Sequence, residues 1–191
     1  VSVHVRPKSG VRTRTRGAIL DAAASVLARD RTATLPDIAA AASVGRSTLH
    51  RYFPDRASLT EATIEDSIQA IQQSVAEAAL DQGSAPDAMR RAVAAMVAVG
   101  DRLMFLFGDP RILDSYGARD GAVAPGDPVL DLIKRGQAEG VFDPEVSPGW
   151  IQHVLWVLVY RGCQDADSGE LPRHGVTATV IRTLENGIHV R

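Results

Sequence analysis

Within the run Thr34 to Leu59, TLPDIAAAASVGRSTLHRYFPDRASL, the side chains of Arg46, Ser47, Thr48, His50 and Arg51 bring hydrogen-bond donors or polar groups, and none is acidic. Gathered on a short helix, such groups suit the edges of base pairs in a major groove, where an arginine fork matches guanine and hydroxyls serve several bases. Because the start of a recognition helix lies deepest in the groove, Arg46, Thr48 and His50 are expected at base edges, with Ser47 assisting. Thr34, Tyr52 and Arg56 are expected on phosphates, where they would set the register.

Other chemistry finds little support. The five histidines, His4, His50, His153, His174 and His189, are dispersed and lack the spacing of a zinc site. Gly45-Arg46-Ser47 begins like a nucleophile elbow, but Leu49 stands where its last glycine would be, and no strand leads into it. A glycine-rich phosphate loop is missing too. Asp165, Asp167 and Glu170, with Gly169 and Pro172, read as a solvated loop. No catalytic residue, metal or cofactor is expected.

The elements that must position the polar face can be read from the same run. Thr34 is placed to N-cap a first helix, with Asp37 three residues on as in a capping box and Pro36 in the first turn, where a missing N–H costs little. Ile38, Val44 and Leu49 are spaced to share one small core, and Ala39 to Ala42 allow close helix approach. A second helix, Arg46 to Tyr52, follows a tight turn. From Thr15 to Arg29, Ile19, Ala23, Val26 and Leu27 fall at helical spacing and predict a supporting helix behind it.

The segment IAAAASVGRSTLHRYFPDRASL resembles the DNA-binding signature of TetR-family transcriptional repressors, a helix-turn-helix closed by an aromatic block before a basic residue and a leucine. Ser43 stands in place of the family's usual turn glycine and His50 in place of its usual tyrosine. The resemblance is dense over Thr34 to Leu59, whereas the C-terminal two thirds carry no specific motif. It implies an all-α chain: an N-terminal three-helix DNA-binding module with the helix-turn-helix, then a helical ligand-binding and dimerisation domain. The implied partners are a palindromic double-stranded operator, a small-molecule effector and a second copy of the chain, joined through the last two long helices.

Charge supports a DNA partner independently. Residues 1 to 60 hold ten Lys/Arg against four acids, a balance of +6, so the remainder of this 191-residue chain of net charge −2 carries −8. Such a layout draws a polyanion to one end and discourages it elsewhere. Residues 1–12 read as a flexible arm, residues 13–60 as the DNA-binding module and residues 61–191 as the helical body. Arg12, Arg14 and Arg16 read either as a solvated helix start or as phosphate or minor-groove contacts; Arg14 and Arg16 are carried forward as DNA-binding candidates.

Past Pro54 one long helix is expected from Asp55 toward Leu80, with Ile64, Ile68, Ile71 and Val75 as its apolar row. Further helices are expected over Ala88–Phe107, Pro110–Tyr116, Pro128–Glu139, Trp150–Arg161 and Val176–Val190. The stripe Val176, Val180, Ile181, Leu184 and Ile188 on the last of these is expected to be covered by a partner chain. Met89, Met96, Phe105, Phe107, Tyr116, Trp150 and Trp156, with His153 as a polar group, could line an effector cavity; individually most read equally well as ordinary core. A single cysteine, Cys163, the lack of a secretory signal pattern and the lack of a long apolar run suit a soluble protein of the reducing cytoplasm. Two other readings remain open on residues alone: a non-specific architectural DNA-binding protein, and a helical enzyme or carrier with a degenerate helix-turn-helix.

Overall fold

The structure is a computed structural model that describes residues 8–109 and 126–188. It divides into two compact units, Val1–Ile68 and Gln69–Arg191, and no strand occurs among the described residues.

In the first unit α1 (Lys8–Arg29), α2 (Leu35–Ala41) and α3 (Arg46–Tyr52) are followed by the first half of α4 (Arg56–Glu77). Because α1 already begins at Lys8, Arg12, Arg14 and Arg16 stand on a helix and not on an arm reaching to residue 12. α2 and α3 have seven residues each, too few to persist alone. They are held by burial of Ile38, Ala39, Leu49 and Phe53, in a unit whose other buried side chains include Ile19, Leu20, Ala23, Leu27 and Leu59. Each fully buried large side chain contributes about 1.5–3 kcal/mol, more than helix propensity can supply over a single turn or two.

The buried face of α4 departs from the expected row. Leu59, Thr63, Ser67 and Val75 are buried, whereas Ile64, Ile68 and Ile71 are only half-buried. Thr63 is tolerated there because its hydroxyl donates to the Leu59 carbonyl at 2.7 Å.

The second unit continues with α5 (Ala85–Ala98), α6 (Gly100–Phe107), α7 (Pro128–Ala138), α8 (Pro148–Ser168) and α9 (Val176–Ile188). The single helix expected over Ala88–Phe107 is broken at Val99, whose φ of −106° and ψ of 26° leave the helical region. Gly100 then backs onto α8 so closely that a Cβ there would lie 2.6 Å from the Cys163 sulfur. That thiol is buried, which raises its pKa to about 11. Pro110–Tyr116 lies outside the described residues.

α8 runs well beyond Arg161, to a left-handed Gly169 at φ 83°. Asp165 and Asp167 therefore belong to a helix and not to a loop, with Arg161 at 2.7 Å from the first and Arg173 at 3.0 Å from the second. α8 packs on α5, α6, α7 and α9, burying Ile151, Leu155, Val159 and Gly162.

The last helix also differs from expectation. Val176, Val180, Leu184 and Ile188 are buried by the chain itself, and only Ile181 of that stripe is half-exposed. Gly162 makes this possible: its missing Cβ admits Val176 and Val180, whose methyl carbons would lie 3.0 and 3.2 Å from a side chain there. The stripe is thus an internal seam and not a surface waiting for a partner. Among the described residues no helix is long and apolar enough to cross a membrane.

Candidate nucleic-acid interface

The frame of the interface is fixed at both ends of α2. At its start the Asp37 carboxylate accepts the Thr34 N–H at 2.7 Å and the Thr34 hydroxyl at 2.6 Å. The hydroxyl bond first, then the amide bond, hold the Asp37 carboxyl below its usual 3.8, with a smaller attraction from Arg46. At its end the Val44 N–H reaches the Ala39 carbonyl and the Ser43 N–H the Ala40 carbonyl, both at 3.0 Å. These are the paired bonds of a Schellman stop, and they put Ser43 at the left-handed position with φ 54°. Gly45 then N-caps α3.

This turn presents α3 outward. Leu49 is buried, Thr48 and Tyr52 are half-buried, and Arg46, Ser47, His50 and Arg51 are exposed. The expected base-reading residues therefore share one helix, with the apolar position between them turned inward. α4 is capped in its turn by Asp55, which accepts the Ser58 N–H at 2.7 Å, a bond that holds the carboxyl below its usual range.

Two arginines are placed differently from the sequence reading. The Arg56 guanidinium donates to the Arg31 carbonyl at 2.5 Å and to the Ala33 carbonyl, so it braces the α1–α2 loop. Arg14 donates to Gly10 of its own helix at 3.2 Å. Arg16 instead lies over the Phe53 ring, 5.6 Å from its centroid. Sequence reasoning gave no role to the cation–aromatic contacts of Arg12 and Arg51 with Tyr52. The four-residue spacing of Arg12 and Arg16, opposite an aromatic pair, was the available signal.

Comparison with known proteins agrees with this geometry. Residues 19–63 match the family described as bacterial regulatory proteins, tetR family. The HTH-type transcriptional repressor LfrR of Mycolicibacterium smegmatis is 36% identical over 181 residues, covering 95% of this chain and 94% of that protein. The chain belongs to the tetR family. It is a DNA-binding transcriptional repressor of that family. The crystal structure of LfrR from Mycobacterium smegmatis superposes with a TM-score of 0.73 at 33% identity, covering 95% of this chain and 99% of the other. LfrR in complex with proflavine superposes with a TM-score of 0.70 at 34% identity, covering 95% and 100%.

Set on this TetR-family frame, the expected effector-lining residues separate into groups. Met89, Met96 and Phe105 are buried. Phe107 and Trp156 are half-buried and paired, their ring centroids 5.4 Å apart. Trp150 is 63% exposed and His153 is exposed as well, so both face outward from α8 in this chain and line no interior surface. Tyr116 lies outside the described residues. The polar group buried on α8 is Gln152, whose amide donates to the Asp127 carboxylate at 2.7 Å. Its place next to His153 in a mostly apolar run gave no way to choose between the two.

Proposed function

We propose that this repressor reads a palindromic operator through α3 as a two-fold pair of chains and releases it when a small, flat, largely apolar compound enters the helical body. The observation that carries the DNA half is the outward face of α3: cationic and polar, without an acid, on a frame capped at both ends of α2. In this reading Arg46, Thr48 and His50 approach base edges with Ser47, while Thr34, Tyr52 and Arg16 hold phosphates. Arg14 remains within reach of the backbone as an exposed cation. Arg56 acts as a brace and not as a phosphate ligand. Such a protein works in the cytoplasm, beside the DNA it controls.

The effector half rests on the relative crystallised with proflavine and on the apolar residues Met89, Met96, Phe105, Phe107 and Trp156. α4 contributes residues to both units and is the covalent route between them. An effector shifts the protein only through a difference in affinity between the operator-competent and incompetent states. By reciprocity the operator must weaken the effector by the same factor, about 5–150-fold for a coupling of about 1–3 kcal/mol.

Calorimetric titration of proflavine into free and operator-bound protein tests this, with a titration of the dye into duplex alone as correction. Weaker binding to the complex is expected. Equal affinity in the two titrations would show that the compound is not an inducer.

A further inference from the structure

Three guanidinium groups from two helices converge on the aromatic pair that ends α3. Arg12 and Arg51 lie over the same Tyr52 ring, with Cζ atoms 5.9 and 5.7 Å from its centroid. Arg16, one turn along α1 from Arg12, lies 5.6 Å over the neighbouring Phe53. The two rings are 6.5 Å apart and inclined at 36°.

Three other arginines of this unit are turned to carbonyls. Arg29 donates to Ser25 at 2.6 Å, Arg14 to Gly10, and Arg56 to Arg31 and Ala33. Three of the unit's acids are occupied locally: Asp30 accepts from Thr32 in the turn after α1, Asp37 from Thr34 and Asp55 from Ser58 at helix starts. Among the described residues, Arg12, Arg16 and Arg51 take no ion pair or hydrogen bond. Like charges gathered without an acid repel one another. Contact with a half-buried ring, Tyr52, and a buried one, Phe53, offsets part of this, by about 0.5–2 kcal/mol per contact. A shared anion would offset it further. A guanidinium held over a ring by attraction to its face uses none of its N–H groups in that contact, and a pair of them matches two phosphate oxygens.

We propose that Arg12, Arg16 and Arg51, ordered by Tyr52 and Phe53, form one binding site for a backbone phosphodiester, separate from the base-reading residues at the start of α3. The site rests on the reading of α3 as the face toward DNA. It assigns Arg12 and Arg51 to a phosphate together with Arg16 and makes the aromatic block a platform that orients cations.

A phosphate site is blind to sequence, so a mixed-sequence duplex is the probe. Its affinity is measured across a salt series for wild type and for Arg12→Gln, Arg16→Gln and Arg51→Gln, with Lys134→Gln on α7 as the charge-matched control. Each of the three should flatten the logarithmic salt slope by about one unit, so that a fourfold rise in salt costs the variant about fourfold less affinity than wild type. Arg12→Lys and Arg51→Lys should keep the slope while binding more weakly, because an ammonium keeps the charge and loses the fork. Lys134→Gln should leave the slope unchanged. If the arginines serve only to pack the aromatic pair, the glutamine variants will lower the melting temperature and leave the slope alone. An unchanged slope in all three, with wild type binding the duplex, overturns the site and leaves the repressor reading standing. A wild type without affinity for any duplex overturns both.

Discussion

At Ser43 the turn between α2 and α3 needs a left-handed backbone, and a serine supplies it at φ 54°. For a residue with a Cβ that conformation costs about 1–2 kcal/mol, partly recovered here by the two bonds that end α2. Ser43→Gly removes the steric cost and adds chain entropy to the unfolded state. A net gain of about 0.5–1 kcal/mol is expected, read as a higher urea midpoint at unchanged m-value. A lower midpoint would mean that the serine hydroxyl contributes more than the backbone loses. Ser43 was legible as a turn position through the resemblance, which puts it where the family's turn glycine stands. Arg56 was not, since a guanidinium at a helix start suits a phosphate and a carbonyl equally. The carbonyls it meets belong to residues 23 and 25 positions upstream, beyond the reach of any local spacing.

Between α4 and α5 the chain turns through Ala78 to Gln82, and the carbonyls of all five residues accept from an arginine. Arg91 of α5 serves Ala78 at 2.8 Å, Ala79 at 2.9 Å and Gln82 at 2.5 Å, and Arg135 of α7 serves Leu80 at 3.0 Å and Asp81 at 2.8 Å. These bonds pin the turn that follows α4, in which the Ala79 carbonyl also accepts the Gln82 N–H at 3.0 Å. Arg91→Gln should cost about 1–3 kcal/mol of stability. Combined with Arg135→Gln the loss should differ from the sum of the singles, because both hold one turn. Strict additivity in urea unfolding would show two independent contacts. The helix start marked by Pro128 was legible, since α7 opens on that residue, whereas the end of α8 at Gly169 was not, because the apolar run that marks the helix stops near Arg161. The break at Val99 was not legible either although Gly100 follows it, because a lone glycine inside a helical pattern is often tolerated; the structure shows Gly100 there in close approach to Cys163 on α8.

For the whole molecule the main revision concerns which surface is left for a second chain. The stripe of α9 is internal, so Leu184, 1% exposed, would unfold the body if charged and says nothing about assembly. Trp150 and Val157, 63% and 64% exposed, stand with His153 and Arg161 on one outward face of α8. In the proposed dimer this face is the seam. Val157→Asp should give monomers by sedimentation, with the fold retained and operator affinity lost. A dimeric Val157→Asp would place the seam elsewhere. The sequence showed that α8 was too apolar to stand alone, but not which of its apolar residues the chain itself would cover.

The central claim is that α3 reads base pairs, and binding of wild type and Arg46→Ala to a library of duplexes tests it most directly. Wild type should select sites with two half-sites about 34–36 Å apart, or a multiple of that spacing. Arg46→Ala should lose about 1–3 kcal/mol of preference at defined base pairs while its binding to all other sequences stays close to wild type. A uniform loss of affinity across the whole library would contradict the account.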